Sequence, residues 1–126
     1  MAKKKKKGPK MSGPRGWYFM NEKELTVQDI KNVLDEDRYD IEIWHEACVL
    51  EVGVAEKLSL DIEQLECDLR DEYSNQYLQE HDIHCVFYLS FRPDEYDRCE
   101  PVMKEILQGL GGRICADTDD FTPVLQ

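Results

Sequence analysis

The sequence predicts an α+β fold, and three observations carry that expectation. Short stretches such as "YDIEIWH" and "CVLEVGV" alternate apolar and polar residues with the period of two of a half-buried strand. Between them lie segments whose apolar residues recur at spacings of three and four, the pattern of an amphipathic helix. At 126 residues and 41% hydrophobic content, the chain has one domain's length and enough apolar side chains for a single core.

Residues 1–16 hold Lys3, Lys4, Lys5, Lys6, Lys7, Lys10 and Arg15, no acid, and, apart from Ala2 and the two prolines, no apolar side chain except Met1 and Met11. Such a composition does not offset the entropy of ordering, so a disordered basic tail is expected ahead of a single acidic domain over 17–126. "GWYFM" then reads as a short aromatic strand. Thr26 stands where an N-cap belongs, before Val27, Ile30 and Leu34 and with Asp29 three residues on, so a first helix should run into Asp35, Glu36 and Asp37.

Tyr39, Ile41 and Ile43 share one face of the next segment, whereas Cys48, Leu50, Val52 and Val54 take the opposite parity. A turn near Glu46 and Ala47 therefore joins two strands as a hairpin. A second helix, the longest element, is expected from Ser59 to about Gln79, with Leu58, Ile62, Leu65, Leu69 and Tyr73 on one side. "HCVFYLSF" is a nearly continuous apolar run and suits a central strand. Tyr96, Cys99, Met103, Ile106 and Leu110 keep helical spacing up to Gly111 and Gly112, with Pro101 marking a kink or a late start. "RIC" is the last strand, and "DTDDFTPVLQ" is expected to be a tail. The first six elements spell a ferredoxin-like βαββαβ unit over about 17–91, extended by a C-terminal helix and short strand. Its crossovers bring the first strand beside the strand of 84–91.

The charge is divided. The whole chain is at minus 11, yet residues 1–16 carry plus 7, and the remainder sets 9 Lys and Arg against 27 Asp and Glu, or minus 18. A body of that sign steers a basic partner and repels nucleic acid. The acids singled out for such contact are Asp61, Asp68, Asp71 and Glu72 along the second helix, Asp94, Glu95 and Asp97 at the start of the third, and Asp117, Asp119 and Asp120 after the last strand. Acids in a helix's first turn also complement its dipole, so part of that crowding is structural. The lysine run attracts phosphate without reading sequence, and as a coil it is long enough to meet the body's own acids.

Chemical motifs are sparse. "RICADTDDF" is similar to the aspartate pair of haloacid-dehalogenase-type phosphotransferases, but those need a large domain after the motif and only six residues follow Asp120. His81, His84 and Cys85 have metal-ligand chemistry, yet a helix end running into a strand separates them, so a polar turn is expected. Cysteines at 48, 67, 85, 99 and 115 contain no Cys-x-x-Cys and form neither a disulfide framework nor a zinc ribbon. Reduced thiols in a reducing cytoplasm follow. No run of 18 apolar residues exists, and no hydrophobic signal core follows the lysines. No cofactor, metal or catalytic residue is expected.

The succession of basic tail, "GWYFM", "YDIEIW" and "CVLEVGVAEKLSLDIEQL" resembles some phage anti-CRISPR proteins, small chains with a basic N-terminus ahead of an α+β body. The resemblance covers about the first 90 residues; the acidic third helix and "GGRICADTDDF" depart from it. Bacterial immunity proteins and nuclease blockers share the charge, and no functional residue carries over from either group. The charge of minus 18 on the body, without a catalytic constellation, points to a non-enzymatic inhibitor or immunity-like factor, whose acidic surface engages a basic partner such as a nucleic-acid-binding protein or nuclease. The alternative is a nucleic-acid-associated accessory protein that docks through its lysine-rich tail.

Overall fold

A computed structural model describes residues 16–69 and 71–126. The expected tail lies outside the described residues except Gly16, which opens the first strand. The elements are β1 (Gly16–Asn21), α1 (Val27–Val33), β2 (Asp40–Trp44), β3 (Val49–Ala55), β4 (Leu58–Leu65), α2 (Glu72–Glu80), β5 (Cys85–Ser90), α3 (Tyr96–Leu110), β6 (Arg113–Ala116) and β7 (Val124–Leu125). A short 3₁₀ turn, Pro93–Glu95, leads into α3.

Among the described residues, seven strands form one sheet in the order β2-β3-β4-β5-β1-β6-β7, antiparallel at every pairing. The α+β class, the β1–β5 neighbourhood and the C-terminal helix followed by the short strand β6 follow the expectation. The core is extended by one strand. Residues 58–65 are β4 and not the start of a helix: Leu58, Leu60 and Ile62 are buried while Ser59, Asp61 and Glu63 are exposed. The second helix is α2 alone, capped by Asp71, whose carboxylate accepts from the Ser74 N–H at 2.7 Å. Ser59 caps nothing. The C-terminal segment is likewise no tail, because Val124 and Leu125 pair with Cys115 and Ile114, and Phe121 is buried.

Local chemistry accounts for the other elements. Asp29 takes the Thr26 N–H at 2.8 Å and starts α1 as expected. His45 to Cys48 turn the β2–β3 hairpin, with Cys48 at a φ of 56°. Leu110 ends α3, and its carbonyl accepts from the buried Asn21 amide at 3.2 Å. Gly112 follows at a φ of 84°, where a Cβ would lie 2.5 Å from the Met20 carbonyl oxygen, so only glycine fits this passage into β6. Pro101 sits inside α3, with its ring side exposed.

Because strand side chains alternate, the sheet has two faces with different fates. On the first, Trp17, Phe19, Leu50, Val52, Leu60, Ile62, Phe87, Leu89 and Ile114 pack under α1 and α3 as the main core. Phe19 and Phe87 stand directly opposite each other, with ring centroids 5.8 Å apart. On the second face, Met20, Val86 and Cys115 pack with Leu78 of α2, Ile83 and Phe121 as a smaller core. That cover reaches Leu65 at the end of β4 and goes no further among the described residues. Across β4, β3 and β2 the second face carries exposed Asp61, Glu63, Glu42, Asp40 and Trp44.

The main core has a titratable rim. Buried Tyr39 donates its hydroxyl to Glu105 of α3, which also accepts from Arg38 at 3.2 Å. Burial, then the bond to Glu105, pushes Tyr39 up to about 12. Burial and Glu100 push Tyr96 up to about 12, and burial pushes Cys99 up to about 11. Each folded value exceeds its unfolded one, so the stability it contributes is complete below the ordinary thiol and phenol values and is lost as pH climbs from about 9 to about 12. The urea midpoint is therefore expected to fall across that window. Tyr39→Phe should lose about 1 kcal/mol at pH 8 and show a shallower alkaline fall. An alkaline fall identical to that of the parent would mean that Tyr39 does not carry this loss.

Candidate functional site

The partner-binding acids named from sequence separate into two places. Asp94, Glu95 and Asp97 lie around the entry to α3, where Arg92 approaches Asp94 at 3.7 Å and Glu95 at 3.8 Å, and Arg98 approaches Glu95 at 3.5 Å. Their charge is partly answered on the spot. Asp61, Asp68, Asp71, Glu72, Asp117, Asp119 and Asp120 are carried by the second face and the loops above it. Asp61 points outward from a strand, Asp68 lies in the loop after β4, and Asp71 and Glu72 open α2, so they do not line one helix as the sequence suggested.

Two adjoining depressions, of about 430 and about 490 Å³, share Tyr18, Asp71 and Ser74. Asp117 and Asp119 line one, and Glu66 and Asp68 line the other. Tyr88 donates to Asp117 at 2.6 Å by laying its ring across β1. The crossing is open only because residue 16 is glycine: a Cβ there would sit 2.3 Å from the Tyr88 hydroxyl oxygen. Phe121 closes the side, with its ring 4.7 Å from Tyr77 and 5.7 Å from Tyr18, and exposed Tyr73 stacks on it at 6.2 Å. Asp120 is held inside its own turn. Bonds from the Thr122 hydroxyl at 2.6 Å and the Thr122 N–H at 3.2 Å keep its carboxyl below the usual range.

From this depression the second face runs outward across β4, β3 and β2, and its register lines up the acids. Gly16 faces Ser90, Ser90 faces Asp61, Asp61 faces Glu51, and Glu51 faces Glu42. Three carboxylates thus stand side by side on adjacent strands, about 4.8 Å apart along the hydrogen-bonding direction. The next row runs Tyr18, Tyr88, Glu63, Val49 and Trp44, and ends on an indole 51% exposed. Among the described residues, no Lys, Arg or His forms an ion pair with Glu42, Glu51, Asp61 or Glu63. Like charges directly opposite on neighbouring strands destabilise a sheet.

Glu42, Glu51, Glu63, Trp44, Tyr18 and Tyr88 were missed from sequence. Their signal was parity: each stands out of phase with the core residues of its strand.

The other sequence candidates do not gather. Cys85 points into the main core, His84 meets Asp82 at 3.1 Å on the surface, and the His81 ring lies against Tyr77 at 4.2 Å. Among the described residues, no three His, Cys, Asp or Glu side chains converge as a metal would need. All five cysteines are unpaired, and burial pushes the Cys67, Cys85, Cys99 and Cys115 thiols up, which keeps them protonated at neutral pH. Among the described residues, no helix is long and apolar enough to cross a membrane. Compared with family models, curated proteins and solved structures, the chain matches none.

Proposed function

We propose that this chain is a non-enzymatic binding protein, an inhibitor or immunity-type factor of the cytoplasm, which engages a basic protein through the open second face of its sheet. The observation that supports this reading is the row Glu42, Glu51 and Asp61 on a part of the sheet that, among the described residues, no helix covers. Cross-strand like charges cost the free protein stability, and lysine or arginine side chains laid along the row would relieve that cost on binding. Trp44 at the end of the neighbouring row supplies the amphipathic ring that binding surfaces favour. A basic nuclease or nucleic-acid-binding protein has the required charge.

The test combines partner capture with stability. Capture by the parent chain should be strong near 0.01 M salt, where the Debye length is about 30 Å, and weaken at 0.1 M, where it is about 10 Å. The variant Glu42→Gln/Glu51→Gln/Asp61→Asn should lose that partner. It should also melt higher, by about 2 to 5 °C, because two opposed carboxylate pairs have been removed. A triple variant that melts higher and still captures the same protein would refute the assignment of this face.

A further inference from the structure

Among the described residues, β2 (Asp40–Trp44) pairs with β3 alone. In an antiparallel pair the N–H and C=O groups of alternate residues point away from the partner, so β2 presents such groups outward with no strand to meet them. Edge strands are commonly guarded by lysine, proline or a bulge. The segment "DIEIW" has neither lysine nor proline, and its register with β3 runs unbroken from Asp40 to Trp44. Its side chains differ on the two sides. Asp40, Glu42 and Trp44 are exposed on the second face, whereas Ile41 and Ile43 are half-buried against the rim of the main core. A strand laid beside β2 meets two carboxylates and an indole on one side, and the uncovered flanks of two isoleucines on the other.

We propose that β2 is a docking edge, which takes up an extended segment of the basic partner as a further strand of the sheet. The segment that fits alternates Lys or Arg with Val, Ile or another apolar residue. Its cations stand opposite Asp40 and Glu42 and over the Trp44 ring, and its apolar side chains cover Ile41 and Ile43. Glu51, directly opposite Glu42 on β3, deepens the negative potential behind the edge. Backbone hydrogen bonds hold such a segment, and the alternation of its side chains selects it. That the segment belongs to a basic protein rests on the partner reading above; strand addition at this edge can fail by itself.

The experiment titrates the full chain, labelled with ¹⁵N, with the end-blocked peptide Lys-Val-Lys-Val-Lys-Val-Lys and with Lys-Lys-Val-Val-Val-Lys-Lys, which has the same composition without the alternation. At about 0.1 M salt the alternating peptide should bind about tenfold more tightly than the block peptide, shift the amides of residues 40–44 and slow their exchange with water. N-methylating all its lysines, or all its valines, removes one or the other alternate set of N–H donors. One of the two should weaken binding about tenfold or more and the other should leave it within about threefold, because only alternate N–H groups face β2. Asp40→Asn/Glu42→Gln should weaken the alternating peptide about two- to tenfold. Equal affinity for the alternating and block peptides, or equal effects of the two methylations, overturns strand addition and leaves only a contact between charges. Shifts centred on Asp94–Asp97 or on Asp117–Asp120 overturn it as well, as do shifts at 40–44 that grow with protein concentration in the absence of peptide, which would assign the edge to a second copy. Loss of the captured protein in Glu42→Gln/Glu51→Gln/Asp61→Asn, together with no binding of the alternating peptide, keeps the partner reading and overturns the docking edge.

Discussion

Phe121→Ala is expected to cost about 3 kcal/mol and to lower the melting temperature by about 10 °C. Phe121 is 3% exposed and is the aromatic centre of the smaller core, touching Tyr18, Tyr73 and Tyr77. Truncating a buried phenylalanine typically costs about 3 to 5 kcal/mol; the lower end applies because Tyr73, on one side, is half in water. The residue's φ of 62° gives alanine no advantage, since any Cβ is strained there. The loss should be accompanied by faster amide exchange at Val124 and Leu125, which the turn around Phe121 delivers to β6. A cost below about 1 kcal/mol in urea unfolding would mean that the C-terminal segment does not close this core.

The second large effect concerns residues 58–65. Leu60 is fully buried between Val52 of β3 and the main core, so Leu60→Ala should cost about 2 to 5 kcal/mol. Ser59→Ala and Glu63→Ala, one residue out of phase or three along, should each change stability by less than about 0.5 kcal/mol. The period of two in these effects is the test. Had Leu60 been as tolerant as Ser59, the strand assignment would fail.

That segment also shows where reading the sequence stops. Leu58, Ile62, Leu65 and Leu69 keep helical spacing, while Leu58, Leu60 and Ile62 alternate strictly with polar residues, and both periods fit the same stretch. The turn that makes β3 and β4 a hairpin is Glu56-Lys57, with Lys57 at a φ of 65° and no glycine or asparagine to announce it. What decides in favour of the strand is pairing with β3 on one side and β5 on the other, a non-local fact. By contrast, Thr26 with Asp29, the glycines after Leu110 and the apolar run of β5 carry their structure locally, and they were legible. The C-terminal segment was hidden by its polarity: one phenylalanine among aspartates and threonines does not look like a core residue until α2 is seen above it.

The candidate face was half legible for the same reason. Asp61 and the acids of the α2 and β6 loops could be named one at a time, but their alignment with Glu51 and Glu42 depends on register, which links residues on separate strands. The acids near α3 looked equivalent from composition. Arg92 and Arg98, their neighbours in sequence, are what set them apart.

Among the described residues, strand β2 ends the sheet with one side unpaired, whereas the opposite edge is formed by the two-residue β7. An open five-residue edge is a template on which a second copy can polymerise. In an antiparallel pairing of two β2 strands centred on Glu42, a second copy would set Glu42 against Glu42 beside two Glu51 side chains. The same side chains therefore oppose edge-to-edge pairing of two copies, through the register of the outermost hairpin.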